Sequence, residues 1–140
     1  SLRDSGRIRP GDRVWIVLDR DDNRGEDKTA VLSGLAQWCE SNGVGLALSN
    51  PEFEVWCLLH FVFFDYGVNK QDLARMLKDN LGVRHYEKGA DYNDAFMPRI
   101  GTAVRNARRQ RGGDDSLVVD RNPYTNVDLL VADIMGFIAG

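Results

Sequence analysis

The chain has 140 residues, of which 43% are hydrophobic, 28% charged and 9% aromatic. That is enough apolar material for one packed domain, and it excludes a disordered or fibrous chain. Its 18 Lys and Arg against 21 Asp and Glu leave a formal charge of -3, which argues against a generally basic nucleic-acid binder and leaves only a local basic face for that role.

In chain order, polar residues end in the turn signal Arg9-Pro10-Gly11-Asp12 and lead into Val14-Trp15-Ile16-Val17-Leu18, an apolar run predicted to be a fully buried strand. Leu32, Leu35, Ala36 and Cys39 then recur at helical spacing up to the stop signal Asn42-Gly43, and Val44 to Leu48 reads as a second strand. Strand, helix and strand this close together make a βαβ unit, hence a parallel sheet with a right-handed crossover and an α/β fold class. The carboxyl-terminal half reads as helical. Asn50 can cap, and Pro51 can start, a helix through about Phe64 that is apolar nearly all round and therefore buried. Further helices are predicted over Lys70 to Asn80 and over Asp91 to Gln110, the latter bent near Pro98 or Gly101. The last helix starts at a capping box of Thr125 and Asp128 and carries Val127, Leu130, Val131, Ile134, Met135 and Ile138 inward, with Asn122 to Asn126 as turn and cap. Cys39 and Cys57 are too few for a disulfide framework or a zinc ribbon and fit a reducing cytoplasm. The longest apolar run, Val55 to Phe64, is well short of the roughly 20 residues that cross a bilayer, so no membrane association is expected.

Asp19-Arg20-Asp21-Asp22 stands at the carboxyl end of the first predicted strand, where open α/β sheets bind ligands. On an extended chain residues i and i+2 share a side, so Asp19 and Asp21 point together and Arg20 points away. Two carboxylates so placed repel each other unless a proton or cation lies between them. Mg2+ or Mn2+ supplies such a cation, taking one or two carboxylates and filling its other positions with water and phosphate oxygens. The competing reading is a solvated acidic turn in which Asp22 or Asp27 caps the next helix. Glu52 and Glu54 follow the second strand on the same sheet edge, which brings Glu54 near the Asp pair as a third acid; an exposed Glu52 needs only the helix dipole to explain it. His60 lies about 240° around the helix from Glu54, so it shares no face with it and reads as a hydrogen-bonded core histidine. Arg99, Arg105, Arg108, Arg109 and Arg111 occur with no acid between Ala95 and Gly113, a candidate contact for a phosphate backbone or else a solvated helix face. Lys88 can approach a phosphate as a point charge.

Val17 to Asp22, the segment Ser49-Asn50-Pro51-Glu52-Phe53-Glu54-Val55-Trp56-Cys57-Leu58-Leu59-His60-Phe61, the Tyr86-Glu87-Lys88-Gly89 loop and Asn122 to Val127 together resemble the RloB-like family, whose members are encoded beside restriction or abortive-infection genes. Such proteins look like divergent Toprim domains. The resemblance implies a Toprim-like βαβ core, Asp19 and Asp21 as metal ligands, Glu54 as an added catalytic acid, and Mg2+ or Mn2+ as cofactor. It further implies a metal-dependent nuclease of phage defence with an ATPase as partner; the charge pattern then offers Lys88, Arg105, Arg108 and Arg109 as contacts to a DNA or RNA substrate. The alternative is a non-catalytic module that serves as scaffold for that ATPase. A Toprim site also uses a glutamate after its first strand, and none precedes Asp19. The chain is therefore expected to be a carboxyl-terminal portion of a longer protein, a single domain that lacks its first βαβ unit and is inactive alone.

Overall fold

A computed structural model describes residues 11–22 and 26–139. β1 (Trp15–Asp19) and β2 (Gly45–Asn50) pair in parallel through the crossover helix α1 (Thr29–Asn42), with Trp15 opposite Gly45 and Asp19 opposite Ser49. The expected βαβ unit is present. α1 stops where Gly43 turns left-handed, at φ 66°, and the N–H groups of Gly43 and Val44 close on the carbonyls of Glu40 and Cys39. Residues 1–10, expected to end a preceding connection, lie outside the described residues.

β1 is not the fully buried strand its apolar run predicts. Among the described residues it is the edge of a sheet ordered β1-β2-β3, and Val17 is 50% exposed. The sheet is also mixed rather than wholly parallel, because β3 (Tyr124–Thr125) pairs antiparallel with β2. Asn122 to Asn126, expected as turn and cap, thus supply a strand. Asn126 extends it with its side chain, which accepts from the Leu48 N–H at 2.7 Å and donates to the Leu46 carbonyl at 2.9 Å. The hydroxyls of Ser49 and Thr125 meet at 2.8 Å within this pairing.

The helical half comprises α2 (Glu54–Leu59), α3 (Lys70–Leu81), α4 (Asn93–Phe96), a 3₁₀ turn (Met97–Arg99), α5 (Ile100–Gln110) and α6 (Val127–Ala139). α2 begins later and ends earlier than its apolar run suggests. The Nδ1 of His60 bonds the carbonyls of Trp56 and Cys57, and Asn106 donates to the Leu59 carbonyl, so the last turn is closed by side chains and the chain leaves the helix. The predicted bend at Pro98 is the 3₁₀ turn between α4 and α5. α3 starts at a capping box of Asn69 and Asp72. Of the box expected of Thr125 and Asp128, the Thr125 hydroxyl accepts from the Val127 N–H at 3.3 Å, while the Asp128 carboxylate turns to Arg111.

β2 divides the core by its two-residue alternation. Leu48 packs with Leu32 of α1 and Tyr124, whereas Ala47 faces a larger cluster built from Val55, Leu58, Leu59, Leu73, Leu77 and Ala103 of the helical half. Leu130 and Val131 of α6 pack against this larger cluster, but Ile134 and Met135 are 49% and 58% exposed because the helix runs past the described core; the Ile138 side chain lies outside the described residues. No helix among the described residues is long and apolar enough to cross a membrane. At the amino end of β2, a Cβ on Gly45 would stand 2.4 Å from the Trp15 indole, whose Nε1 is fixed on Asp133. Gly45→Ala is expected to destabilise by about 1–3 kcal/mol through overpacking, read as a lowered urea midpoint at constant slope; an unchanged midpoint would mean that the indole has room to move.

Candidate active site

The parallel register places the carboxyl ends of β1 and β2 side by side, and backbone bonding continues past them. Arg20 N–H reaches the Ser49 carbonyl at 2.8 Å, and Asp21 N–H reaches the Pro51 carbonyl at 2.9 Å. The acidic turn after β1 is thereby stitched to the Ser49-Asn50-Pro51 segment after β2. Arg20 points away from the edge, as alternation predicts, and is 6% exposed. Its guanidinium binds Asp22 at 2.9 Å, Asp27 at 3.0 Å, Thr29 at 2.9 Å and the Val119 carbonyl. Asp22 and Asp27 are thus counterions of this clamp, and Asp27 also accepts from the first N–H of α1, that of Thr29, at 2.9 Å, although the N-cap position itself is Lys28.

Asp19 and Asp21 are left on the edge, but not as a simple i, i+2 pair. The strand ends at Asp19, and Asp21 adopts a left-handed φ of 47°. Asp19 Oδ1 accepts from Phe53 N–H at 2.8 Å. Partial burial pushes its carboxyl above the ordinary range; the Phe53 bond opposes this, while the charges of Glu54 and, more weakly, Asp21 add to it. Asp21 faces the amino end of α3, where the Lys70 ammonium meets Oδ1 and holds the carboxyl below its ordinary range. Lys28 fixes the same residue from behind by donating to its main-chain carbonyl at 2.7 Å.

Glu54 is buried, as its place before Val55 and Trp56 predicts, and both of its oxygens are engaged. Tyr86 Oη donates to Oε2 at 2.6 Å and Lys88 Nζ to Oε1 at 3.1 Å. Glu52, expected to be exposed, is only 2% exposed and accepts from Lys88 at 2.7 Å. Burial raises the Glu52 carboxyl, and Lys88 partly offsets that. For Lys88, burial works against the charge, yet the bonds to Glu52 and Glu54 outweigh it and raise its pKa, keeping an ammonium there. Tyr86 is pushed up by burial and then by its bond to Glu54, so its proton stays on the phenol. Asp19 thus lies within electrostatic reach of Glu54, Lys88 and Asp21.

His60 is a core residue between Trp56 and Phe96, its pKa lowered by burial. Both cysteines are free and buried; burial, then the Glu54 charge, pushes the Cys57 thiol up to about 12. Among the candidate arginines, Arg105, Arg108 and Arg109 are exposed on α5, and Arg109 lies 3.8 Å over the Phe63 ring. Arg111, which the charge run groups with them, is instead 3% exposed and paired with Asp128. α5 is anchored by Asn106 on the Leu59 carbonyl and Gln110 on the Phe64 carbonyl. The arginine face and the acids are therefore attached at opposite ends of α2.

Sequence reasoning missed Lys70 and Tyr86. A lysine in the first turn of a helix opposes the macrodipole, which is a legible sign that Lys70 has another partner. Tyr86 and Lys88 belong to one loop, and both side chains reach Glu54.

Among the described residues no three His, Cys, Asp or Glu side chains come together to hold a metal ion. A closed structural site is therefore absent among them. The hard-oxygen pair Asp19 and Asp21 still fits a Mg2+-type ion, which is ordinarily held by one or two carboxylates with water and phosphate around it. Asp21 Oδ1 is enclosed, accepts no well-angled hydrogen bond, and meets the Lys70 ammonium.

No curated protein and no solved structure gives a significant match to this chain. The sequence model for RloB-like proteins matches residues 2–134. That span takes in the strand-edge acids, the Glu52 and Glu54 segment and the Tyr86 to Lys88 loop, and the chain belongs to the RloB-like family.

Proposed function

We propose that this chain carries the acidic site of a metal-dependent nuclease of phage defence, working with a partner ATPase, on a Toprim-like core. The observation that carries the reading is the joining of the Asp19 to Asp21 turn to the Ser49 to Glu54 segment at one sheet edge, where Asp19 accepts from Phe53 N–H and Lys88 bonds both Glu52 and Glu54. Asp19 and Asp21 would hold the Mg2+ or Mn2+ ion, one carboxylate each. Bound there, such an ion polarises a phosphate and lowers the pKa of an attacking water.

The chain's own residues do the positioning. The Phe53 N–H fixes the Asp19 carboxylate, leaving its other oxygen for a ligand. Lys88 is anchored by two acids with its side chain 60% exposed, so its remaining N–H can meet a phosphate oxygen. Glu54 supports Lys88 and adds negative charge beside Asp19. The Arg105, Arg108 and Arg109 face would take backbone phosphates at a distance from the acids, a contact that weakens with salt and carries no sequence preference.

The test is cleavage of labelled single-stranded and double-stranded DNA and RNA, tRNA included, by the full-length protein with its partner in Mg2+, Mn2+ or EDTA. Cleavage that appears with the metal and vanishes with EDTA is expected, and the substrate that is cut identifies the preference. Silence on every substrate, with the ATPase complex intact, would favour the scaffold reading.

A further inference from the structure

Lys70 stands at the acidic edge in a position that α3 itself does not favour. A lysine at the first position of a helix is disfavoured by the dipole, and α3 is already capped by Asn69 and Asp72. Its ammonium nevertheless meets Asp21 Oδ1, an oxygen that makes no well-angled hydrogen bond. The Lys70 side chain is 45% exposed. It lines an open cleft of about 440 Å³ together with Asp21, Asn50, Asn69 and Asn122, so it has room to swing aside. By contrast Lys88 is tied to two buried acids and Lys28 to a main-chain carbonyl.

We infer that Lys70 is an exchangeable counterion of Asp21, which a divalent cation must displace in order to bind between Asp19 and Asp21. This rests on the metal reading above and adds a regulatory element to it. A positive side chain at the ligand competes with the ion for one carboxylate oxygen and repels it through space, so occupancy of the site is held down until the lysine leaves. Being half exposed, the competition is screened by salt.

The experiment is calorimetric titration of MnCl2 into the full chain as wild type, Lys70→Met, Lys70→Arg and Asp21→Asn, at low and high ionic strength. Lys70→Met is expected to bind Mn2+ roughly threefold to tenfold more tightly than wild type at low salt, a gap that narrows as salt rises. Lys70→Arg, which keeps the charge, is expected to bind no more tightly than wild type. Equal or weaker binding by Lys70→Met, with binding lost in Asp21→Asn, would overturn the counterion role and leave the metal site standing. Wild-type binding by Asp21→Asn would overturn the metal site itself.

Discussion

Asp21→Asn is expected to lower metal-dependent cleavage by at least about 100-fold, since loss of even an outer partner of a metal ligand typically costs 10–100-fold and the proposed nuclease uses Asp21 as a ligand. The substitution is informative because it should do little else. Asparagine tolerates the left-handed backbone that Asp21 adopts at φ 47°, whereas alanine would add strain there. The ion pair lost is half exposed, with side chains 45% and 33% accessible, and such pairs contribute about 0–1 kcal/mol. Wild-type melting behaviour with cleavage gone would mark Asp21 as part of the chemistry. Full cleavage by this variant would remove Asp21 from the site, and full biological effect without cleavage would support the scaffold.

The largest stability effect is expected at a charged pair that plays no part in the site. Arg111 and Asp128 have side chains only 1% and 4% exposed. The guanidinium reaches Asp128 Oδ2 at 2.8 Å, the Thr125 carbonyl at 2.9 Å, the Asp114 carbonyl at 3.1 Å and Asp115 at 3.2 Å. One side chain thereby fastens the end of α5 to β3 and to the first turn of α6. Asp128→Asn keeps the shape and removes the charge, leaving a buried guanidinium short of its main counterion; breaking such a pair costs about 3–5 kcal/mol. Domains of this kind hold only about 5–15 kcal/mol in total, so the urea midpoint should fall by a large fraction. Replacing both partners with apolar residues should recover much of the loss. A midpoint within error of wild type for Asp128→Asn would show that the pair is not buried in solution.

This pair also marks where the sequence ceases to be legible. As a string, Arg105, Arg108, Arg109 and Arg111 are alike, and their acid-free surroundings suggest one cationic face. Burial of Arg111 depends on Asp128, 17 positions away, and nothing local reports a partner that distant. β3 escaped for a related reason: two residues cannot display an alternation, and the pairing is built from Ser49, Thr125 and the amide of Asn126 rather than from an apolar run. β1, α1 and β2 are legible because each combines an apolar run or period with a turn or cap signal at its ends, and α3 is legible through its apolar period alone.

At the site, Asp19, Asp21 and Glu54 could be grouped because strand ends joined by one crossover share an edge. Their partners could not. Glu52 reads as a surface acid until the Lys88 loop folds over it, and the extended-chain rule for Asp19 and Asp21 fails at the left-handed Asp21. Lys70 and Tyr86 reach the acids only through α3 and the loop after it, contacts that no spacing within the acidic segments encodes.

The most direct test is an anomalous difference map from crystals of the full-length protein soaked in MnCl2. A peak between the carboxylates of Asp19 and Asp21, with the Lys70 side chain swung away, is the predicted result. No peak there from a preparation that cleaves nucleic acid in Mn2+, or a peak bound by other residues, would contradict the account.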